Sequence, residues 1–204
     1  MSLATITLIR HGQTAWSLSG QHTGLTDIPL TPAGEHEVKA LAPFLSPERF
    51  SAVLTSPLLR ARQTCTLAGM DGGAIIEPDL IEWDYGEYEG RRSVDIRRER
   101  TGWAIYRDGC PGGESPAEIS DRADRVIGKL DKIGNSIALF SHGQFACSLA
   151  ARWIGLDIVE AEHLALHTAS ISILGHSHSR PGTRVIELWN FVPGRLAASS
   201  HANA

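Results

Sequence analysis

Short apolar segments separated by helix signals constrain the fold of this chain more than any other feature of its sequence. Residues 4–9, 52–55 and 136–140 are rich in apolar and β-branched side chains, as buried strands are. Residues 171–174 and 184–188 show a similar pattern later in the chain. Strands that alternate with helices commonly form a parallel sheet covered on both faces. We therefore predict an α/β fold, a three-layer sandwich with a mostly parallel central sheet and helices on both faces.

Capping residues mark where helices begin. Thr31-Pro32 and Ser56-Pro57 each place a hydroxyl side chain before a proline, which predicts a helix start. Residues 115–118, Ser-Pro-Ala-Glu, form a capping box ahead of an apolar stripe at helical spacing. A further apolar helix is predicted up to Ile154, and the turn formers of residues 20–32 predict a surface loop. The helix after Thr31 is expected to bury Val38, Leu41, Ala42 and Leu45.

The length and charge of the chain exclude some classes of protein. Its 204 residues suit one domain, predicted over residues 1–190, with a tail at 191–204 that we expect to be disordered. The net charge of −4 and the lack of a Lys/Arg run argue against nucleic acid as a partner. A few arginines in a cleft can still attract a small anionic substrate. An oligomer is compatible with this composition.

The cysteines and the first residues of the chain indicate the cellular compartment of the protein. Cys65, Cys110 and Cys147 are odd in number, widely spaced and form no Cys-x-x-Cys pair, so neither a disulfide framework nor a thiolate zinc site is expected. Residues 1–12 lack a basic n-region, and their apolar run is too short for a signal peptide or a membrane span. We therefore predict a cytoplasmic protein without a membrane partner.

Two His-Gly elements follow predicted strands. Arg10-His11-Gly12 comes after the first strand and Ser141-His142-Gly143 after the third. Ligands of open α/β sheets bind in the crevice outside the carboxyl ends of the strands. Both histidines are therefore expected to meet at one site, although they are far apart in the sequence.

Several residues suit phosphoryl transfer, which needs a nucleophile, positive charge around the phosphate and a proton for the leaving oxygen. The neutral imidazole of His11 can attack phosphorus and form a phosphohistidine. Arg10 and Arg60 can supply planar cations, and His142 a second donor. The helix after His142 offers free amides to an anion. Glu82 lies between apolar and aromatic residues, and burial beside a phosphate would favour its protonated form.

Taken singly, these residues have other interpretations. His142 could be a hydrogen-bonded core histidine, Arg60 and Arg62 a solvated helix face, and Glu82 one carboxylate among many. The Arg-His-Gly tripeptide could lie in a solvated loop. His-Ser-His at residues 176–178 suggests a metal pair, but no third ligand follows at suitable spacing.

Six motifs occur in one order along residues 8–143: LIRHGQTAW at 8–16, GLTDIPLT at 24–31, TSPLLRARQT at 55–64, EWDYGEYEG at 82–90, GGES at 112–115 and SHG at 141–143. Together they resemble the histidine phosphatase superfamily, also called phosphoglycerate mutase-like. The resemblance implies that His11 becomes phosphorylated and that Arg10, Arg60 and His142 form the phosphate pocket. It implies that Glu82 donates the proton, and that neither a metal nor another cofactor takes part.

The resemblance also implies further contacts to a small phosphate ester. The expected substrate-binding positions beyond the two arginines are Ser17, Thr23, Gly24, Tyr85 and Gly143. Ser17 departs from the asparagine that many members carry after the tryptophan, which weakens the expectation of a phosphate contact there.

Within the superfamily, the segments at 16–24 and 106–110 look most like a phosphatase branch that includes sedoheptulose-bisphosphatase-like enzymes and mutase-like bacterial acid phosphatases. Mutases typically carry extra sequence between the acid motif and the second histidine, and an Asn-Lys pair after the acid motif. Here only residues 83–141 intervene, and Arg91-Arg92-Ser93 follows the motif. We therefore expect hydrolysis of small phosphate monoesters, sugar phosphates in particular. The alternatives are a cofactor-dependent phosphoglycerate mutase and a non-catalytic module that binds a phospho-ligand.

Overall fold

A six-stranded mixed sheet forms the centre of the computed structural model, which describes residues 3–194. The strands are β1 (Thr5–Arg10), β2 (Ala52–Thr55), β3 (Ile75–Ile76), β4 (Ser136–Ser141), β5 (Ile171–His176) and β6 (Arg184–Phe191). Their spatial order is β3-β2-β4-β1-β5-β6. The first four run parallel, whereas β5 and β6 pair antiparallel. The predicted α/β fold with a mostly parallel sheet is confirmed.

Seven α-helices connect the strands within the described residues: α1 (Ala15–Ser19), α2 (Pro32–Lys39), α3 (Leu59–Leu67), α4 (Ser93–Glu99), α5 (Ile105–Asp108), α6 (Pro116–Ile133) and α7 (Gly143–Trp153). Short 3-10 turns lie at residues 42–44, 47–49, 78–80, 86–88 and 158–163. No helix between residues 3 and 194 has the length and apolar character needed to cross a bilayer.

The core consists of two apolar clusters, one on each face of the sheet, and successive residues of β4 belong to them in alternation. Ile137 and Leu139 of β4 pack in the cluster that includes α6 and α7, and Ala138 and Phe140 in the cluster that includes Val38 of α2. Successive strand residues point to opposite faces of a sheet. Because both faces of β4 are covered, its sequence is a continuous apolar run, as predicted.

The helix starts at Thr31 and Ser115 are confirmed. The Thr31 hydroxyl accepts a hydrogen bond from the Gly34 amide at 3.0 Å, and Ser115 and Glu118 form the reciprocal capping box. The start predicted at Ser56 is wrong, because α3 begins at Leu59.

The end of helix α2 also differs from the prediction. Helix α2 ends at Lys39 rather than continuing to the last predicted core position, and a 3-10 turn containing Pro43 follows. Proline cannot donate a backbone hydrogen bond and disrupts a continuing α-helix. Leu45 is nevertheless buried, whereas Ala42 is only partly buried.

The last strand is longer than predicted. β6 extends to Phe191, which packs against the second apolar cluster, so this residue belongs to the sheet and not to the predicted tail. Most of that predicted tail, residues 195–204, lies outside the described residues.

Candidate active site

The two His-Gly elements meet at the carboxyl edge of the sheet. β1 and β4 are parallel neighbours, with Arg10 opposite Ser141 in register. The next residues, His11 and His142, therefore lie side by side, with ring centroids 5.3 Å apart. The amide of His11 also donates to the Ser141 carbonyl at 3.0 Å. The predicted convergence of the two histidines is confirmed.

His11 is held in one tautomer. Its Nδ1 lies 2.7 Å from the Gly12 carbonyl, which can only accept, so Nδ1 carries the proton and Nε2 keeps its lone pair. The side chain is only 4% exposed. Burial, with the positive charges of Arg10 and Arg60, lowers the pKa of His11 well below its usual value. The imidazole is therefore neutral near pH 7.

Gly12 is the point at which helix α2 approaches the backbone beside His11. A Cβ added here would lie 2.6 Å from a Val38 methyl and 2.7 Å from the Gly34 carbonyl. The Gly12 amide donates to the Thr64 hydroxyl at 3.1 Å. Glycine is therefore required so that α2 can pack directly against the His11 backbone.

Arg60 and His142 form a buried pair behind His11. Arg60 has no exposed surface, and its Nε donates to His142 Nδ1 at 3.1 Å. Because Nε of arginine can only donate, Nδ1 accepts, and the proton on Nε2 points to the Ser56 hydroxyl at 2.8 Å. Burial, then the charge of Arg60, lowers the pKa of His142 well below its usual value. Both ring nitrogens are thus occupied by protein groups.

Arg60 also holds the loop that follows α1. Its guanidinium donates to the carbonyls of Thr23, Gly24 and Thr26 at 2.9–3.0 Å. The Gly24 amide in turn donates to both carboxylate oxygens of Glu89. Arg60, His142 and Gly24 therefore lie behind the cavity wall in this structure, although the sequence placed all three in the phosphate or substrate contacts.

The other seven predicted site residues line one cavity of about 470 Å³: Arg10, His11, Ser17, Thr23, Glu82, Tyr85 and Gly143. This volume is within the range of small-molecule sites. One Arg10 Nη donates to the Leu166 carbonyl at 2.5 Å, but the Arg10 Nε is buried without a hydrogen-bond partner. A buried unpaired donor on a cation is costly, and an anionic ligand beside His11 would satisfy it.

The Glu82 side chain binds the first amides of α7. The carboxylate accepts from the amides of Trp83 and Phe145 at 2.9 and 2.8 Å, and from the amide of Gln144 at 3.0 Å. The prediction that free amides of this helix would bind the substrate anion is wrong for these two helix amides, because Glu82 already takes them. The Glu82 carboxylate is therefore fixed to the same helix that begins beside His142.

Arg122 was not found from the sequence. This residue of α6 is 5% exposed and forms an ion pair with Glu114 at 2.7 Å. It also donates to the carbonyls of Asp79 and Ile81 at 2.8 Å and of Glu82 at 3.3 Å. These contacts fix the backbone on which the Glu82 side chain stands.

The far wall of the cavity is built from short helices and aromatic rings. The His22 ring stacks on Tyr85 with centroids 4.4 Å apart and meets Trp103 edge-on at 5.7 Å. Ser93 and Arg97 of α4 also line this wall. Apart from Tyr85, these residues were not identified from the sequence as part of the site, because they come from segments without strong hydrophobic periodicity.

Within the described part of the chain, no three His, Cys, Asp or Glu side chains are grouped so that they could hold a metal ion. The same region contains no disulfide, and Cys65, Cys110 and Cys147 are free and buried. Burial raises the pKa of each thiol to about 12, so these cysteines are poor nucleophiles.

Known proteins with similar sequences and folds include phosphatases. The chain is 38% identical over 175 residues to an acid phosphatase of Mycobacterium tuberculosis, covering 84% of this chain and 86% of that one. It is 37% identical over 183 residues to sedoheptulose 1,7-bisphosphatase of Saccharomyces cerevisiae, covering 74% and 68%. A solved structure from Mycobacterium tuberculosis, 35% identical, superposes with a TM-score of 0.86 over 93% of this chain and 98% of that one.

The family model of the histidine phosphatase superfamily (branch 1) matches residues 6–191, nearly the whole region that the structure describes. That match includes both His-Gly elements, the acid motif and all six strands with the exception of Thr5. The chain belongs to the histidine phosphatase superfamily.

Proposed function

We propose that the protein hydrolyses small phosphate monoesters, with sugar phosphates as the substrate class, through a phosphohistidine at Nε2 of His11. The observation that carries this proposal is the neutral His11, fixed by its Nδ1 hydrogen bond beside the unpaired Arg10 Nε, in one cavity with Glu82. The similarity to an acid phosphatase and a sugar bisphosphatase supports the substrate class.

The reaction proceeds in two steps. In the first, Nε2 of His11 attacks phosphorus, the P–N bond forms as the ester P–O bond breaks, and the leaving oxygen takes a proton from Glu82. In the second, water attacks the phosphohistidine, gives its proton to Glu82, and the P–N bond breaks to release phosphate. Arg10 stabilises the phosphoryl oxygens in both steps.

Arg60 and His142 serve this chemistry from behind the cavity wall. Arg60 places positive charge near His11 and keeps His142 and the loop after α1 in position. Catalytic hydrogen bonds often tighten only when the substrate is bound. We propose that these two residues complete the phosphate pocket at that stage.

Water is the proposed acceptor because the cavity has a polar wall and room for a substrate with water. Gln21, Ser93 and Gln144 line it together with the residues of the reacting centre. A mutase must instead keep its phosphohistidine from water while the bisphosphorylated intermediate turns over.

One experiment identifies the acceptor of the phosphoryl group, by comparing transfer to water with transfer back to a phosphoglycerate. The enzyme should release inorganic phosphate from p-nitrophenyl phosphate and from a panel of sugar phosphates. In a parallel assay, 3-phosphoglycerate is supplied with catalytic 2,3-bisphosphoglycerate. If phosphoglycerate were isomerised faster than any phosphate is released, the protein would be a mutase and the phosphatase proposal would be rejected. If the protein bound vanadate or phosphate but turned over no ester, it would be a non-catalytic binding module.

The activity should survive exhaustive chelation, because the positive charge at the phosphate comes from arginine side chains. Turnover of p-nitrophenyl phosphate is measured before and after dialysis against EDTA, with metal content determined in the same samples. A loss that a divalent cation restores would contradict this part of the proposal. A loss that no cation restores would indicate damage to the protein, which a thermal melt would detect.

We also propose a cytoplasmic location. The free, buried cysteines fit a reducing compartment, in which thiols stay unpaired. Fractionation of cells that express the full chain measures this directly, and recovery in a secreted fraction would contradict it.

A further inference from the structure

The arginines of residues 91–107 differ in whether they have an acidic partner. Five of the six contact a carboxylate within 3.8 Å: Arg91, Arg92, Arg98, Arg100 and Arg107. Arg97 forms no ion pair with a described residue. It is also the one arginine of this group that lines the cavity containing His11. An unneutralised cation therefore faces the site, while its neighbours are paired at the surface.

Arg97 is held against the cavity wall in one orientation. Its Nε donates to the Trp103 carbonyl at 3.0 Å. The two Nη groups form no hydrogen bond to another described residue, so their donors remain for a ligand or solvent. Glu162 lines the same cavity, but its carboxylate is not within ion-pair distance of Arg97 and contacts His163 at 3.7 Å.

Arg10 and Arg97 line different parts of the cavity wall, Arg10 at the end of β1 and Arg97 on α4. The two arginines act on different rings of one stacked pair: the charge of Arg10 acts on Tyr85, and that of Arg97 on His22, whose ring lies 4.4 Å from that of Tyr85. Burial, with the charge of Arg97, lowers the pKa of His22 to about 4, so this histidine is neutral and Arg97 is the permanent charge there. Arg10 and Arg97 are thus placed to bind two different groups of one ligand.

We propose that Arg97 is a specificity-determining residue that binds a second anionic group of the substrate, a phosphate or a carboxylate, while His11 removes the first phosphoryl group. This inference rests on the proposed phosphatase function and narrows its substrate class. Favoured substrates are small polyol or sugar phosphates that carry a second negative group at the other end of the molecule. The planar fork of arginine suits both phosphate and carboxylate oxygens.

The experiment compares Arg97→Gln with Arg98→Gln, a control on the same helix whose arginine pairs with Asp95 and has a side chain 71% exposed. The substrates form two pairs that differ in the second charge. One pair is a hexose bisphosphate and the hexose monophosphate, and the other is 3-phosphoglycerate and glycerol 3-phosphate. The first pair tests a phosphate at Arg97 and the second a carboxylate.

Arg97→Gln should lower kcat/KM for the doubly anionic substrates by roughly 10- to 100-fold, mainly through KM, because one charge-assisted contact is lost. The loss for the singly phosphorylated partner should be at least roughly tenfold smaller. Arg97→Lys should recover part of the loss, and Arg98→Gln should behave as wild type. Equal effects on both members of each pair, or no effect on either, would overturn the proposal.

A binding measurement separates this inference from the phosphatase proposal. In a His11→Ala background, which removes the nucleophile, calorimetry measures the affinity for the hexose bisphosphate and monophosphate with and without Arg97. A selective loss of bisphosphate affinity in Arg97→Gln supports the second site even if no ester is turned over. Failure of the phosphatase proposal would appear instead as absent turnover in the wild-type enzyme.

Discussion

His11→Ala should reduce turnover of p-nitrophenyl phosphate by roughly 10³-fold or more, because the covalent route is removed outright. The neutral imidazole, fixed through Nδ1, lines the cavity and follows Arg10 directly in the chain. Cys147 shares the cavity, but burial raises its thiol pKa to about 12 and its Sγ contacts the Leu164 carbonyl, so it does not replace His11.

The measurement combines steady-state rates with trapping. Wild-type enzyme quenched during turnover should carry phosphate in an acid-labile, base-stable linkage, and His11→Ala should carry none. His36→Ala, which changes an exposed histidine on α2, is the matched control and should keep wild-type rates. Near-normal turnover in a folded His11→Ala protein would exclude the phosphohistidine mechanism.

Glu82→Gln should reduce hydrolysis of an alkyl phosphate by roughly 10²- to 10⁴-fold, because the leaving alkoxide then has no proton donor. The loss on p-nitrophenyl phosphate should be much smaller, since its phenolate leaves without protonation. Glutamine also presents an amide where Glu82 accepts from Gln144, so some disturbance of α7 is expected. Such a disturbance would affect both substrates alike, and the ratio of the two losses isolates proton donation.

Glu87→Gln is the control for this prediction, because Glu87 belongs to the same motif but is exposed. It should leave both rates unchanged. If Glu82→Gln lowered the hydrolysis rates of the two substrates by the same factor, Glu82 would be a structural cap of α7, and the proton would have to come from another group.

The parts of the fold that the sequence predicted are those governed by local rules. The apolar runs at β1 and β4 determine two buried parallel strands, and both histidines follow those strands directly, so their meeting was predictable. The caps at Thr31 and Ser115 were predictable because the capping side chain and the amide that it binds are three residues apart.

The parts that were not predictable depend on pairs of polar groups distant in sequence. Ser56 was interpreted as a helix cap, whereas its hydroxyl accepts from His142, 86 residues later. Arg122 lies in an amphipathic helix, where an arginine is normally solvated. Its burial is evident only once the carbonyls of Asp79, Ile81 and Glu82 are in place. Hydrophobic periodicity reports which face is buried, and gives no information on which polar groups are satisfied there.

The two halves of the cavity differ in how freely they can change during evolution. His11 follows β1 directly, and Glu82 accepts hydrogen bonds from the first amides of α7, so both residues are tied to buried parts of the sheet core. The opposite wall comes from α1, α4 and α5, helices of four to seven residues with few buried side chains. Ser17, Ser93 and Arg97 line this wall but belong to neither apolar cluster. Substitutions at these positions exchange ligand contacts without repacking the core, so a descendant of this chain can acquire a new substrate while His11 and Glu82 stay where they are.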